Sequence, residues 1–127
     1  MRDFYFFTNS KLTATDCYEQ LKAAIPHVVM NGRTDIRIAA KSRSYLWFNN
    51  DTFADYTYDP EEVTSALKQR IPLDDPYITH FETHRSIDAK RVLKVLLQLR
   101  PEIYVNVDDG TDWVGTAQEY IDTEFDY

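Results

Sequence analysis

Residues 3–8 read Asp3-Phe4-Tyr5-Phe6-Phe7-Thr8, and this run decides the architecture. Phe4 and Phe6 alternate with Tyr5 and Phe7, so a strand here is apolar on both faces. That pattern suits an interior strand buried on two sides.

Working outward, Thr13 is a good N-cap with Asp16 in the first turn behind it. The spacing predicts a helix that buries Cys17, Leu21, Ala24 and Ile25 and stops before Pro26. His27–Met30 reads as a short strand. Residues 34–58 then read as a three-strand meander. Ile36, Ile38 and Ala40 lead to a turn at Lys41–Ser44, then Tyr45–Phe48, a turn at Asn49–Thr52, and Phe53–Tyr58. Asp59-Pro60-Glu61-Glu62 combines an N-cap, a first-turn proline and a capping-box partner. A helix follows to Ile71, with Val63, Ala66, Leu67 and Ile71 inward, and Pro72 ends it. Tyr77–His84 reads as a strand and Ser86–Leu99 as an apolar helix through Val92, Leu93, Leu96 and Leu97. Ile103, Val105 and Val107 form one face of a last strand. After an Asp109-Gly110 turn, Thr116-Ala117-Gln118-Glu119 is a second capping box that opens a short helix. The expected order is β-α-β-β-β-α-β-α-β-α. It predicts an α+β fold with a mixed, mostly antiparallel sheet, about four helices, and those helices packed on the sheet as a single layer.

At 127 residues, with 43% apolar and 28% charged residues, the chain is expected to be a single globular domain, residues 1–127. Charge is the feature that points to function. Residues 102–127 hold eight carboxylates and no Lys or Arg, whereas the whole chain carries −7 and residues 1–101 sum to about +1. Tyr104, Trp113, Tyr120, Phe125 and Tyr127 lie among those acids. Carboxylates steer and orient a basic partner, and large rings give desolvated contact area at low entropic cost. A net negative chain is a poor default ligand for nucleic acid or an anionic membrane. No run approaches 18 apolar residues, which argues against a membrane span. The lone Cys17 rules out an intramolecular disulfide, and the start lacks the apolar run of a signal peptide, so a cytoplasmic location is expected.

The candidate contact patch is Tyr104, Asn106 and Asp108, which alternate away from the Ile103/Val105/Val107 face, together with Asp109, Asp112, Trp113 and Glu119. Its competing reading is that Tyr104 and Trp113 simply cover the sheet edge. Lys68, Arg70, Lys90, Arg91, Lys94 and Arg100 form a basic set on the outer faces of two helices. That set is either a solvated face or the complement of a second copy's acidic end, giving a monomer or a homodimer.

Reactive chemistry has little footing. His80, Glu82 and His84 would share one face of a strand and offer two imidazoles and a carboxylate, a ligand set of Zn or Fe(II) sites. The plain alternative is the polar face of a strand. Asp108–Asp112 fails as a calcium loop, because an EF-hand register puts Val105 and Val107 at ligand positions. Cys17 falls on the buried stripe of its helix, no serine stands in Gly-x-Ser-x-Gly, and three glycines build no phosphate loop. No enzyme activity and no cofactor are therefore expected.

The small acidic, aromatic-rich chain, through its Asp108–Asp112 turn, Trp113 and the Glu119–Tyr127 segment, resembles the immunity proteins of bacterial polymorphic and contact-dependent toxin systems. The resemblance implies a cytoplasmic inhibitor that plugs or masks a toxin domain, often a basic nuclease. The alternatives are a small metal-dependent enzyme centred on His80, Glu82 and His84, and an acidic regulatory protein or nucleic-acid mimic.

Overall fold

The computed structural model describes residues 2–32, 35–39, 43–52, 70–74, 76–108 and 113–125. Its strands are β1 (Arg2–Thr8), β2 (Val28–Asn31), β3 (Asp35–Ala39), β4 (Arg43–Thr52), β5 (Tyr77–Thr83), β6 (Tyr104–Asp108) and β7 (Trp113–Thr116). Its helices are α1 (Ala14–Ala24), α2 (Ser86–Leu99) and α3 (Ala117–Ile121). The strands form one seven-stranded sheet in the order β2-β3-β4-β5-β1-β6-β7.

The aromatic run at residues 3–8 therefore lies in an interior strand, as its two apolar faces require. β1 is flanked by β5 and β6, both antiparallel to it. Those two neighbours consequently run the same way and are joined through α2, with β1 inserted between them. A mixed sheet was expected, yet every pairing among the described residues is antiparallel. The reason is topological. Helix α1 joins β1 to β2 and α2 joins β5 to β6, each past at least one intervening strand, so the strands these two helices join are not neighbours.

Phe4 and Phe6 of β1, Leu46, Phe81, Val105 and Val107 face a core completed by Cys17 and Leu21 of α1, Val92, Leu93 and Leu96 of α2, and Tyr120 of α3. Tyr120 meets Phe4 edge-on at 5.6 Å, so the short third helix closes the core over β1. On the second face of the sheet, Phe7 and Ile78 pack with Ile71, and Leu73 and Tyr104 lean against them.

Several local expectations hold. Thr13 Oγ1 accepts from the Asp16 N–H and opens α1. The Thr116–Glu119 capping box is complete in both directions. α2 buries Val92, Leu93 and Leu96 and leaves Leu97 half-buried at the core margin.

Others are corrected. Ala24, the last residue of α1, is exposed, and the buried stripe ends at Leu21 and Ile25. Asn49–Thr52 is not a turn. β4 continues through it, and a register shift between Phe48 and Thr52 absorbs the extra residues. Arg43 and Ser44 likewise belong to β4, paired with Ala39 and Ile38. His84 lies beyond the end of β5, where Thr83 Oγ1 accepts from the Arg85 N–H and turns the chain. Trp113–Thr116 is a strand paired with β6, in place of a loop leading to the last helix. Among the described residues there are three helices. The strand expected over 53–58 lies outside the described residues. So does the helix expected from Asp59-Pro60, except that Arg70 near its end is helical.

Candidate functional site

The register across β5, β1 and β6 sets three carboxylates abreast. Asp3 is paired with Glu82 on one side and with Asp108 on the other. The next rung toward the middle of the strands pairs Tyr5 with His80 and with Asn106. The rung after that pairs Phe7 with Ile78 and Tyr104. All nine positions lie on the face opposite α1, α2 and α3, because side chains alternate along each strand and Phe4, Phe6, Phe81, Val105 and Val107 take the helix side.

Polarity changes steadily along this face. Phe7 and Ile78 are buried at one end, under Ile71 and Leu73. Tyr104 is half-buried beside them, Tyr5 and His80 are half-buried in the middle, and Asp108 is exposed at the acidic end. Asp3 and His80 keep 38% and 22% of their side-chain surface, respectively, enough for a ligand to reach both. The Tyr5 ring stacks on the His80 imidazole, with centroids 5.0 Å apart and planes at 11°. His80 Nε2 lies 2.8 Å from Asp3 Oδ1. A carboxylate can only accept, so Nε2–H is the donor. Like charges directly opposite on neighbouring strands are unfavourable. Among the described residues, the His80 imidazole lies against Asp3 in this row, and the same row continues through Tyr45 to Arg37.

The expected contact patch divides between two sides of the molecule. Tyr104, Asn106 and Asp108 lie on the second face as expected. Asn106 is buried, however, and donates its side-chain N–H to the Trp113 carbonyl at 3.3 Å, tying β7 to β6. Tyr104 sits over Glu102, and its hydroxyl is pushed up from its ordinary pKa by burial first and by Glu102 second. Trp113 takes the helix side and packs on the core against Tyr120. Glu119 is exposed on α3, where its carboxylate accepts from the Thr116 N–H at 3.0 Å and is held below the usual glutamate pKa by those Thr116 hydrogen bonds. Asp109 and Asp112 lie outside the described residues.

The candidate metal-ligand trio of His80, Glu82 and His84 is broken by His84, which is beyond the strand and exposed. Asp3, on the adjacent strand, stands in its place. Ligand atoms of Asp3, His80 and Glu82 all lie within 4.8 Å of one another. Sequence reasoning missed Asp3 and Tyr5 because their role depends on cross-strand register, which spacing along one strand does not contain.

The basic set is not a free face throughout. Lys90 Nζ donates to the carbonyls of Thr123 and Phe125, at 2.7 and 2.6 Å. Arg100 donates to the carbonyls of Leu99 and Lys11. Both cations hold chain segments together. Cys17 is fully buried, and burial chiefly, with Asp16 adding to it, pushes its thiol up to about 12. It is therefore not a nucleophile at neutral pH. No described helix is long and apolar enough to cross a membrane.

No protein-family model, curated protein or solved structure matches the chain.

Proposed function

We propose that this chain is a non-enzymatic binding protein that neutralises a basic protein partner, in the manner of a cytoplasmic immunity protein. The partner docks on the second face of the sheet, around the acidic end of β1. The observation that carries the reading is the row Glu82–Asp3–Asp108, three carboxylates abreast on adjacent strands. Lys and Arg side chains of a partner would pair with these carboxylates across the contact. Tyr5 on the next rung, and Tyr104 one rung further along the same face, offer rigid rings for the desolvated part of such a contact. The overall charge of −7, concentrated in residues 102–127, supplies long-range steering toward a basic surface.

The docking surface differs from the patch expected from sequence alone. It keeps Tyr104 and Asp108 and adds Asp3, Tyr5 and Glu82. Trp113 and Glu119 have structural duties on the other side.

The test is binding to a basic protein encoded beside this chain, measured in the presence of a chelator. Asp108→Asn and Tyr104→Ala should each weaken the complex, the tyrosine change by about 2 kcal/mol if it occupies the centre of the contact. Wild-type affinity in both variants, with folding intact, would overturn this assignment of the surface.

A further inference from the structure

We propose that Asp3, His80 and Glu82 form a binding site for one first-row divalent transition cation, with zinc the ion that best fits their ligand chemistry. The inference goes beyond the docking reading and does not depend on it, since it concerns the free protein and needs no partner.

Three observations converge on these residues. The first is proximity: one ligand atom from each lies within 4.8 Å of the other two, and Asp3 Oδ1 and His80 Nε2 are already 2.8 Å apart. Zinc holds nitrogen and oxygen ligands at about 2.0–2.2 Å, which places neighbouring ligand atoms roughly 3–3.5 Å from each other. Small side-chain rotations of Asp3 and Glu82 bring the trio to that separation.

The second is rigidity. All three residues stand on paired strands at the middle of the sheet, and the stacked Tyr5 ring fixes the plane of the His80 imidazole. A site on paired strands is held more closely than one on a loop, so less freedom is lost when an ion arrives.

The third is charge. Asp3 and Glu82 together neutralise a divalent ion, and Asp108, directly across from Asp3, deepens the negative potential at the same place. An ion bound there lies between like charges on neighbouring strands, an arrangement that is unfavourable without a cation.

The imidazole selects the class of ion. Carboxylates alone suit magnesium and calcium, whereas imidazole nitrogen favours zinc and its first-row neighbours. Binding requires the Nε2 lone pair. The ring therefore coordinates as the neutral tautomer, with its proton on Nδ1 and its lone pair on Nε2. The ligand side chains are half-buried rather than enclosed, so water completes the coordination shell on the solvent side.

The experiment is a titration of tag-free, chelator-treated protein with Zn²⁺ and, separately, Mg²⁺, by calorimetry. One equivalent of Zn²⁺ should bind saturably, with Mg²⁺ much weaker. Asp3→Asn, His80→Gln and Glu82→Gln should each weaken zinc binding by at least about tenfold, because even loss of an outer hydrogen-bond partner commonly costs that much. His84→Gln should leave it unchanged.

The wild-type protein supplies a second readout that no folding defect can confuse. Among its three histidines, the side-chain nitrogen resonances of His80 should shift on adding Zn²⁺ while those of His27 and His84 stay in place. Absence of saturable binding, a shift centred on His84, or zinc binding that survives all three substitutions (an adventitious ion only) would overturn the proposal.

Discussion

The indole of Trp113 meets the ring of Tyr120 edge-on, with centroids 5.1 Å apart and planes inclined at 66°. The contact joins the last strand to the last helix across the turn at Thr116. The same indole lies over Gly115, where an added Cβ would come within 2.7 Å of its ring. Trp113 is thus part of the packing that seats α3 on the core, and the acidic row lies on the other side of the sheet.

Trp113→Ala should accordingly lower unfolding stability by about 2–4 kcal/mol, short of the cost of a fully buried ring. Gly115→Ala should lower it by about 1–3 kcal/mol, since the new methyl must displace a packed indole. Urea denaturation measures both. Partner affinity of the folded Trp113 variant should match wild type, and a large loss of affinity without loss of stability would move the docking surface to the helix side.

Leu93 and Leu96 are both fully buried in α2, between α1 and the sheet. Replacing either with Ala should cost about 2–5 kcal/mol through lost burial and an unfilled cavity. Nearly unchanged urea midpoints would contradict the assigned core face of that helix.

These core positions were legible in the sequence because helical spacing alone selects them. The same holds for Phe4 and Phe6, for the Thr13 N-cap and for the Thr116–Glu119 capping box, all of which are local patterns. Strand β7 escaped notice because Trp-Val-Gly-Thr is four residues long and contains a glycine, with no alternation to mark it. The continuation of β4 through Asn49–Thr52 escaped because Asn and Asp imitate a turn, and only the register shift reveals a bulge. The candidate site was half legible. Alternation grouped His80 with Glu82 and Tyr104 with Asp108, but which strands lie side by side is a property of the whole sheet. Asp3 joins His80 across 77 positions of sequence, a distance no local pattern spans.

Cys17 should resist thiol reagents in the native protein at neutral pH, since its thiol is buried and raised to about 12. Labelling should appear only as denaturant unfolds the chain, and its extent should follow the unfolding curve. Rapid labelling under native conditions would show that α1 opens independently of the core.

Glu119 is held ionised by its hydrogen bonds to Thr116, so its folded pKa lies below the unfolded one. The sign of the linkage follows: its contribution to stability is fully present above the unfolded pKa and disappears as pH falls through the depressed folded value. Glu119→Gln should therefore be less stable than wild type at neutral pH, and the gap should narrow on acidification. A gap that widens toward low pH would contradict the capping role.

In the proposed complex, the acidic row on β5, β1 and β6 docks a basic partner by charge. The most direct measurement is the stopped-flow association rate with a basic protein encoded beside this chain, taken from low to high ionic strength. Charge-steered docking should bring the rate toward ~10⁸ M⁻¹s⁻¹ at low salt. It should fall steeply as salt screens the surface, and Asp108→Asn should slow the low-salt rate. An association rate that is the same at low and high salt, and the same in wild type and Asp108→Asn, would contradict it.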